Sequence, residues 1–195
     1  MQTKKDSKKE EIIKAALKVF AETGYHNAKV SKIAETAAVA SGSIYTYFGN
    51  KEELILTIFE SLWKSLSDDL DLISKNSSLS PSEKLDCMID LTFDRFITDQ
   101  NLAKVFVNEL QQFTVKGEYP FHFFYEKFME TGEEIFRQGI IEKQFNENID
   151  AGILRHFILG AIRNLLHLWT QSPEKVSLNK IRQNVKFLIK KGIEK

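Results

Sequence analysis

The segment over residues 24–54 limits what this chain can fold into more than any other part of it. Its pattern of apolar and polar residues predicts two short helices, over 30–37 and 41–48, joined by a tight turn. A third, longer helix is expected to begin at Asn50, because Asn50 can cap the amide of Glu53 and the Glu53 carboxylate can reach back, as in a capping box. The segment therefore predicts a compact helical unit near the start of the chain.

The second short helix carries small residues, hydroxyl groups and two tyrosines, and a lysine follows it. Hydroxyls and helix N-terminal amides suit phosphate oxygens, a glycine allows close backbone approach, and a lysine offers a charge for a phosphate. An exposed polar surface explains any single serine or lysine equally well, but the tyrosines and serines together have no packing reason to be exposed. The two helices are therefore predicted to form a helix-turn-helix whose second helix lies in the DNA major groove. The predicted contacts with double-stranded DNA are Lys29, Ser31, Lys32, Ser41, Gly42, Ser43, Tyr45, Tyr47 and Lys51.

The charge distribution agrees with local phosphate binding, although the net charge of the 195-residue chain is zero. Residues 1–51 contain nine lysines and five acidic residues, a net charge of +4, which leaves −4 on the remainder. A basic first part on an acidic body fits DNA binding without an overall basic protein.

The single cysteine, Cys87, excludes an internal disulfide, and no apolar run approaches the roughly 20 residues that a membrane span needs. We expect a cytoplasmic protein that does not enter a membrane.

The whole chain favours an all-α fold of about nine helices, because it shows neither an alternating strand pattern nor a hairpin signal. Two domains are expected, a helix-turn-helix DNA-binding domain over 1–52 and a larger helical domain over 53–195. Pro81 suits the first position of a helix that Ser80 opens. The other expected helices are 8–23, 30–37, 41–48, 50–74, 101–115, 120–143, 149–171 and 177–192.

Five short motifs in the first part of the chain are similar to those of a known family: Gly24-Tyr25, Ile33-Ala34, Gly42-Ser43-Ile44-Tyr45, Tyr47-Phe48 and Lys51-Glu52-Glu53-Leu54. Together they resemble the signature of the TetR family of bacterial transcriptional repressors. The resemblance implies a homodimer with two DNA-binding heads, a larger body that binds an effector, and two late helices that pair the subunits. It also implies that Tyr45 and Tyr47 contact phosphates. The chain departs from the family pattern at Ala38, where glycine is usual in the turn, and at Lys29 and Ala40, where hydroxyl caps are common.

Thirteen of the fifteen phenylalanines follow Lys51, and this excess fits either ordinary core packing or a cavity for a long apolar ligand. Further segments, among them Asn101-Leu102-Ala103 and Glu109-Leu110, resemble the FadR-type branch of fatty-acid-degradation repressors in the TetR family. That resemblance implies release from DNA when long-chain acyl-CoA binds. Arg163 lies on an apolar helix, where it either faces the effector's head group or is exposed or paired with a carboxylate. The predicted effector-binding residues are Trp63, Phe93, Arg95, Phe96, Phe106, Glu109, Phe113, Phe128 and Arg163.

The last two predicted helices carry apolar stripes that suit a four-helix interface between two subunits. A stripe alone does not separate such an interface from the core of one subunit, so the homodimer rests mainly on the family resemblance. The stripes consist of Leu154, Phe157, Ile158, Ala161, Leu165 and Leu168 in one helix and Val176, Ile181, Val185, Leu188 and Ile189 in the other.

The sequence shows no pattern typical of catalysis. Its four histidines lack the spacing of a helical metal site, and no glycine-rich phosphate loop is found. We therefore expect no enzymatic activity, no metal and no cofactor. The remaining hypotheses are a repressor that senses acyl-CoA, a repressor of an efflux or stress gene that senses a drug or other hydrophobic compound, and a helical interaction module without DNA binding.

Overall fold

The computed structural model describes residues 2–115 and 119–194, and nine α-helices lie within these ranges. The all-α class is confirmed: the described residues contain one isolated bridge, between Phe145 and Glu194, and no strand. The first helix begins at Gln2 and not at Lys8 as predicted. In chain order the helices are α1 (Gln2–Thr23), α2 (Val30–Thr36), α3 (Ser41–Phe48), α4 (Lys51–Ser74), α5 (Pro81–Thr98), α6 (Gln100–Val115), α7 (Phe121–Ile141), α8 (Ala151–Gln171) and α9 (Leu178–Ile193).

Helices α1, α2 and α3 form a small head around one apolar core. In the turn between α2 and α3, Ala38 has a φ of +52°, the left-handed conformation that costs a residue with a Cβ about 1–2 kcal/mol. Neither Lys29 nor Ala40 supplies a side-chain cap to the helix that follows it. The strained turn residue and the two missing helix caps, which the departures from the family pattern predicted, are therefore all found in the structure. Buried apolar contacts hold the head together in spite of them. The buried residues include Ile12, Ala16 and Phe20 of α1, Ile33 and Ala34 of α2, and Ile44 and Phe48 of α3.

Helix α4 connects the head to the rest of the chain without a break. As predicted, Asn50 caps it, because the Oδ1 atom of Asn50 accepts the N–H of Glu53 at 2.8 Å. The Glu53 carboxylate bonds the side-chain amide of Asn50 at 3.0 Å and not its backbone N–H, which already donates to the Phe48 carbonyl at 2.7 Å. The predicted domain boundary between residues 52 and 53 thus lies in the first turn of a continuous helix.

The body is built around α4 and α7, which pack along each other, with α5, α6 and α8 beside them. Helix α4 buries one face from Leu54 to Leu70, including Trp63. Helix α5 begins at Pro81, as predicted, and Ser80 and Glu83 form a capping box there that the sequence analysis had not assigned. These contacts place the cavity described below between the central helices and the later ones.

Helices α8 and α9 leave part of their apolar surface exposed. In the stripe predicted for subunit pairing, Val185 and Ile189 are instead buried, because α9 packs on α5. Lys186 and Lys190 fix this packing through ion pairs with carboxylates of α5 at 2.7 and 2.9 Å. In the described part of the chain, no helix combines the length and apolar character needed to cross a membrane. The exposed apolar residues of α8 and α9 are Ile153, Phe157, Leu168, Phe187 and Leu188.

Candidate DNA-binding surface and effector cavity

Helix α3 and the start of α2 form one polar surface on the head. A Cβ placed on Gly42 would meet no atom within 4 Å, so the protein's own packing does not require glycine there. Thr46, which the sequence analysis did not include, is also exposed on α3 and donates to the Gly42 carbonyl at 3.0 Å. Lys32 lies 3.0 Å from the Glu35 carboxylate in an exposed ion pair. Of the predicted DNA contacts in this surface, Lys29, Ser31, Lys32, Ser41, Gly42 and Tyr45 are exposed, and Ser43 and Tyr47 are half-buried.

Lys51, predicted to contact a DNA phosphate, points its ammonium group into the protein. Its Nζ atom donates to the carbonyls of Tyr25 at 2.8 Å, His26 at 3.2 Å and Ala28 at 3.0 Å. The same atom lies 4.6 Å from the centre of the Tyr25 ring, a cation–π contact. Because an ammonium group has three donors, a phosphate contact would require it to give up one of these bonds. In the structure Lys51 holds the loop between α1 and α2, and its contact with a DNA phosphate stays a prediction.

Glu109, predicted to bind the effector, lies instead where α6 contacts the head. Its Oε1 atom accepts the backbone N–H of Tyr25 at 2.9 Å, and the residue is only 8% exposed. A second link from the body is the hydroxyl of Tyr119, which donates to the Glu52 carboxylate at 3.1 Å. Burial, and then the nearby Glu52 charge, raise the pKa of Tyr25 above its ordinary value. The loop after α1 is therefore bound by both α6 and α4.

A narrow apolar cavity lies between α4, α5, α7 and α8, and Phe106 of α6 closes one side. It has about 760 Å³ of empty space including its open mouth, but the centre of a water molecule fits in only about 60 Å³ of this. Four predicted residues line it, namely Trp63, Phe96, Phe106 and Phe128. Their rings contact one another, with centroids 6.0 Å apart for Trp63 and Phe106 and 4.8 Å apart for Phe96 and Phe106. A narrow apolar space suits an extended hydrocarbon chain.

Two predicted rings are buried outside the cavity. Phe93 is fully buried in α5 but does not line the cavity. Phe113 packs between Tyr25 and Phe59, with ring centroids 5.3 and 5.9 Å away, and so belongs to the contact between head and body. Sequence identifies such rings as apolar, but it does not reveal which of them face a neighbouring helix and which face an open space.

Both cations predicted for the effector's head group lie elsewhere. Arg95 is on the outer side of α5, where its Nη2 atom lies 2.6 Å from the Asp69 carboxylate and 2.6 Å from the Ser65 hydroxyl. Arg163 donates to the side-chain oxygen of Gln111 at 2.7 Å and lines a surface depression that shares Phe106 and Leu159 with the cavity. Arg163 is thus half-buried beside an amide and not paired with a carboxylate of the described residues, and its role towards the effector stays a prediction.

Arg155 of α8 lines the cavity and was missed by the sequence analysis. Its guanidinium donates to Glu126 at 2.6 Å and to Glu133 at 3.3 Å, and it lies 5.8 Å from the centre of the Tyr125 ring. Burial alone lowers the pKa of Arg155, but hydrogen bonds to Glu126, Tyr125 and Glu133 outweigh it and raise that pKa. The sequence offers only one signal for Arg155, a charged side chain within an otherwise apolar helix. Arg163 of the same helix gives the same signal, so the sequence does not separate the two.

The fold and these sites together define a helix-turn-helix transcriptional regulator with a larger helical body. Residues 12–58 match the family described as bacterial regulatory proteins, tetR family, and residues 62–192 match the C-terminal region of YsiA-like proteins. The chain belongs to the TetR family. This membership makes the protein a regulator and not an enzyme, as the sequence predicted.

Relatives in fatty-acid regulation cover nearly the whole chain. The fatty acid metabolism regulator protein of Bacillus subtilis (strain 168) is 31% identical over 183 residues, which is 94% of each chain. A crystal structure of the regulator FadR from Bacillus subtilis in complex with stearoyl-CoA matches at a TM-score of 0.79 and 30% identity, covering 94% of this chain and 98% of that one. The fatty acid degradation regulator FadR from Bacillus halodurans matches at a TM-score of 0.80 and 29% identity, over 93% and 97%.

Proposed function

We propose that this protein is a homodimeric repressor that binds operator DNA and is released from it by a long-chain fatty acyl-CoA. The observation that carries the proposal is the narrow apolar cavity, with Trp63, Phe96, Phe106 and Phe128 in its wall. An extended acyl chain matches the shape and chemistry of that space. The similarity to a regulator crystallised with stearoyl-CoA supports the same ligand class. Such a repressor acts in the cytoplasm, where the chromosome lies.

The head is proposed to place α3 in the DNA major groove. The exposed hydroxyls of Ser41 and Tyr45 suit phosphate oxygens, and the open space beside Gly42 allows the backbone to approach a base edge. Lys29 and Lys32 supply positive charge at the start of α2. In a dimer, two such helices must meet successive major grooves about 34 Å apart.

Subunit pairing is proposed to use the exposed apolar surface of α8 and α9. Phe157, Leu168 and Leu188 are 66%, 59% and 67% exposed, although they are large apolar side chains. Such a surface favours burial against a second copy. A self-complementary pair of helices from each subunit forms a four-helix interface of the kind that the family resemblance implies.

Release is proposed to follow from a change in the spacing of the two heads. An acyl chain pushes on α4 and α6, which line the cavity with Trp63 and Phe106. Both helices bond the loop after α1 in the head, α4 through Lys51 and α6 through Glu109. The ligand shifts the equilibrium only if it binds the DNA-incompetent arrangement more tightly.

A mobility-shift assay on the promoter next to the protein's own gene tests this proposal. We expect a retarded complex that disappears when palmitoyl-CoA is added, whereas coenzyme A alone leaves it intact. DNA binding that persists at saturating palmitoyl-CoA and oleoyl-CoA would reject acyl-CoA as the effector. A panel of hydrophobic drugs then tests the alternative, an efflux or stress repressor with the same architecture. A protein that binds no DNA even at low salt is not a repressor of either kind.

A further inference from the structure

Four buried side-chain atoms lack a hydrogen-bond partner among the residues that the structure describes. Two of them have simple explanations. The Oδ1 atom of Asp86 is 3.9 Å from the Lys186 ammonium and so lies in an ion pair. The Ser67 hydroxyl can turn to the carbonyl one helical turn earlier, as serines in helices do. The other two atoms are Nε1 of Trp63 and Nε of Arg155, and both residues line the same cavity.

Both of these atoms are N–H donors, and both residues lie beside the same tyrosine, Tyr125. The Trp63 ring centroid is 4.9 Å from that of Tyr125, and the Arg155 guanidinium lies 5.8 Å from the same Tyr125 ring. The rest of the lining is nearly all apolar, and the Thr92 hydroxyl in it already donates to the Met88 carbonyl at 3.0 Å. A buried N–H without an acceptor is costly, so a ligand that supplies the acceptor gains affinity.

The charges around Arg155 decide which acceptor fits. Glu126 and Glu133 already neutralise its guanidinium at 2.6 and 3.3 Å, and Glu133 also pairs with Arg137 at 2.9 Å. The four side chains carry two positive and two negative charges, and Glu133 itself lines the cavity. A ligand carboxylate would therefore meet two protein carboxylates with no excess positive charge. An uncharged carbonyl oxygen accepts hydrogen bonds without that repulsion.

We infer that the effector carries an uncharged carbonyl group, and that its oxygen accepts hydrogen bonds from the unpartnered N–H groups of Trp63 and Arg155. This inference rests on the proposed function, because it assigns a chemical group to the effector of that same cavity. An ester, a thioester or a ketone on a long apolar chain shares this chemistry. A free fatty acid and a plain hydrocarbon do not.

The test compares palmitoyl-CoA with S-hexadecyl-CoA, a thioether that keeps the chain and the coenzyme but lacks the carbonyl. By calorimetry, the protein should bind palmitoyl-CoA about tenfold more tightly than the thioether. Trp63→Phe keeps an aromatic ring but removes the N–H, so this preference should fall towards one. Phe128→Leu, the matched control, removes cavity surface without a donor and should weaken both ligands alike.

A spectroscopic measurement reads the hydrogen bond directly. Palmitoyl-CoA labelled with carbon-13 at the carbonyl should show a lower carbonyl stretching frequency when bound, and the shift should shrink in Trp63→Phe.

Equal binding of thioester and thioether, with no frequency shift, overturns the carbonyl inference while acyl-CoA sensing stands. If neither compound binds, acyl-CoA sensing fails. A long-chain methyl ketone and the alkane of equal length then decide: preference for the ketone supports the inference, and equal or absent binding overturns it.

Discussion

The carboxylate of Glu109 accepts the backbone N–H of Tyr25 at 2.9 Å, and this bond joins α6 of the body to the loop that follows α1. Phe106 lies one helical turn before Glu109 on α6 and lines the cavity. On its other side the loop is held by Lys51, the first residue of α4. A ligand that moves α6 relative to α4 therefore acts on the two supports of one loop in the head.

Replacing Glu109 with alanine should uncouple the head from the cavity. The substitution leaves the N–H of Tyr25 without its acceptor and costs about 1–3 kcal/mol of stability. Because Glu109 does not line the cavity, the affinity for acyl-CoA measured without DNA should change little. The factor by which acyl-CoA weakens operator binding should fall. Glu109→Gln retains an acceptor and is the control; an undiminished response in Glu109→Ala would remove this bond from the signalling route.

Lys51→Met should destabilise the head without changing the number of phosphate contacts. The three carbonyls that Lys51 bonds lose their common donor, so the thermal midpoint should fall. The slope of log affinity against log salt concentration for operator DNA should stay constant. The exposed residue Lys29 provides the comparison, since Lys29→Met should reduce that slope by about 0.9 if it contacts one phosphate. A similar reduction in Lys51→Met would restore Lys51 to the DNA contacts.

How far the sequence predicts the structure depends on how local the interaction is. The Asn50 cap, the start of α5 at Pro81 and the left-handed Ala38 depend on neighbours within a few residues, and the sequence located all three correctly. The buried and exposed faces of α3 were predictable for the same reason, because a helix repeats its faces at a fixed interval. Local pattern therefore sufficed for the architecture of the head.

The cavity depends on contacts between residues far apart in the chain, and there the sequence was a weaker guide. Phe93 and Phe96 are both fully buried rings on α5, yet only Phe96 borders the open space. Glu109 and Arg155 are charged residues whose partners lie on other helices, at sequence separations of 84 and 22 to 29 residues. No periodicity encodes such partners, so the sequence did not reveal that Glu109 bonds the head or that Arg155 borders the cavity.

The capping box at the start of α5 should make stability depend on pH. Hydrogen bonds from the backbone N–H and hydroxyl of Ser80 lower the pKa of Glu83 below its ordinary value of 4.5. A carboxyl whose pKa is lower in the folded state stabilises that state above its unfolded pKa and loses the effect as pH falls through its folded pKa. Wild type should therefore be more stable than Glu83→Gln near neutral pH. Urea titrations at several pH values should show this difference shrink below about pH 4.5; a constant difference would contradict it.

Leu188→Lys should separate the subunits without unfolding either one. Leu188 is 67% exposed in the single chain, so a lysine there meets water and not a core. In a dimer that buries this surface, two charges would lie in an apolar interface, which is costly without partners. Sedimentation should detect a monomer with unchanged helical circular dichroism and weaker operator binding, because one head spans only one groove. Leu72→Lys is the matched control and should remain dimeric. Leu72 is similarly exposed, at 70%, but lies on α4, away from α8 and α9. A dimer that persists in Leu188→Lys places the subunit interface on another surface.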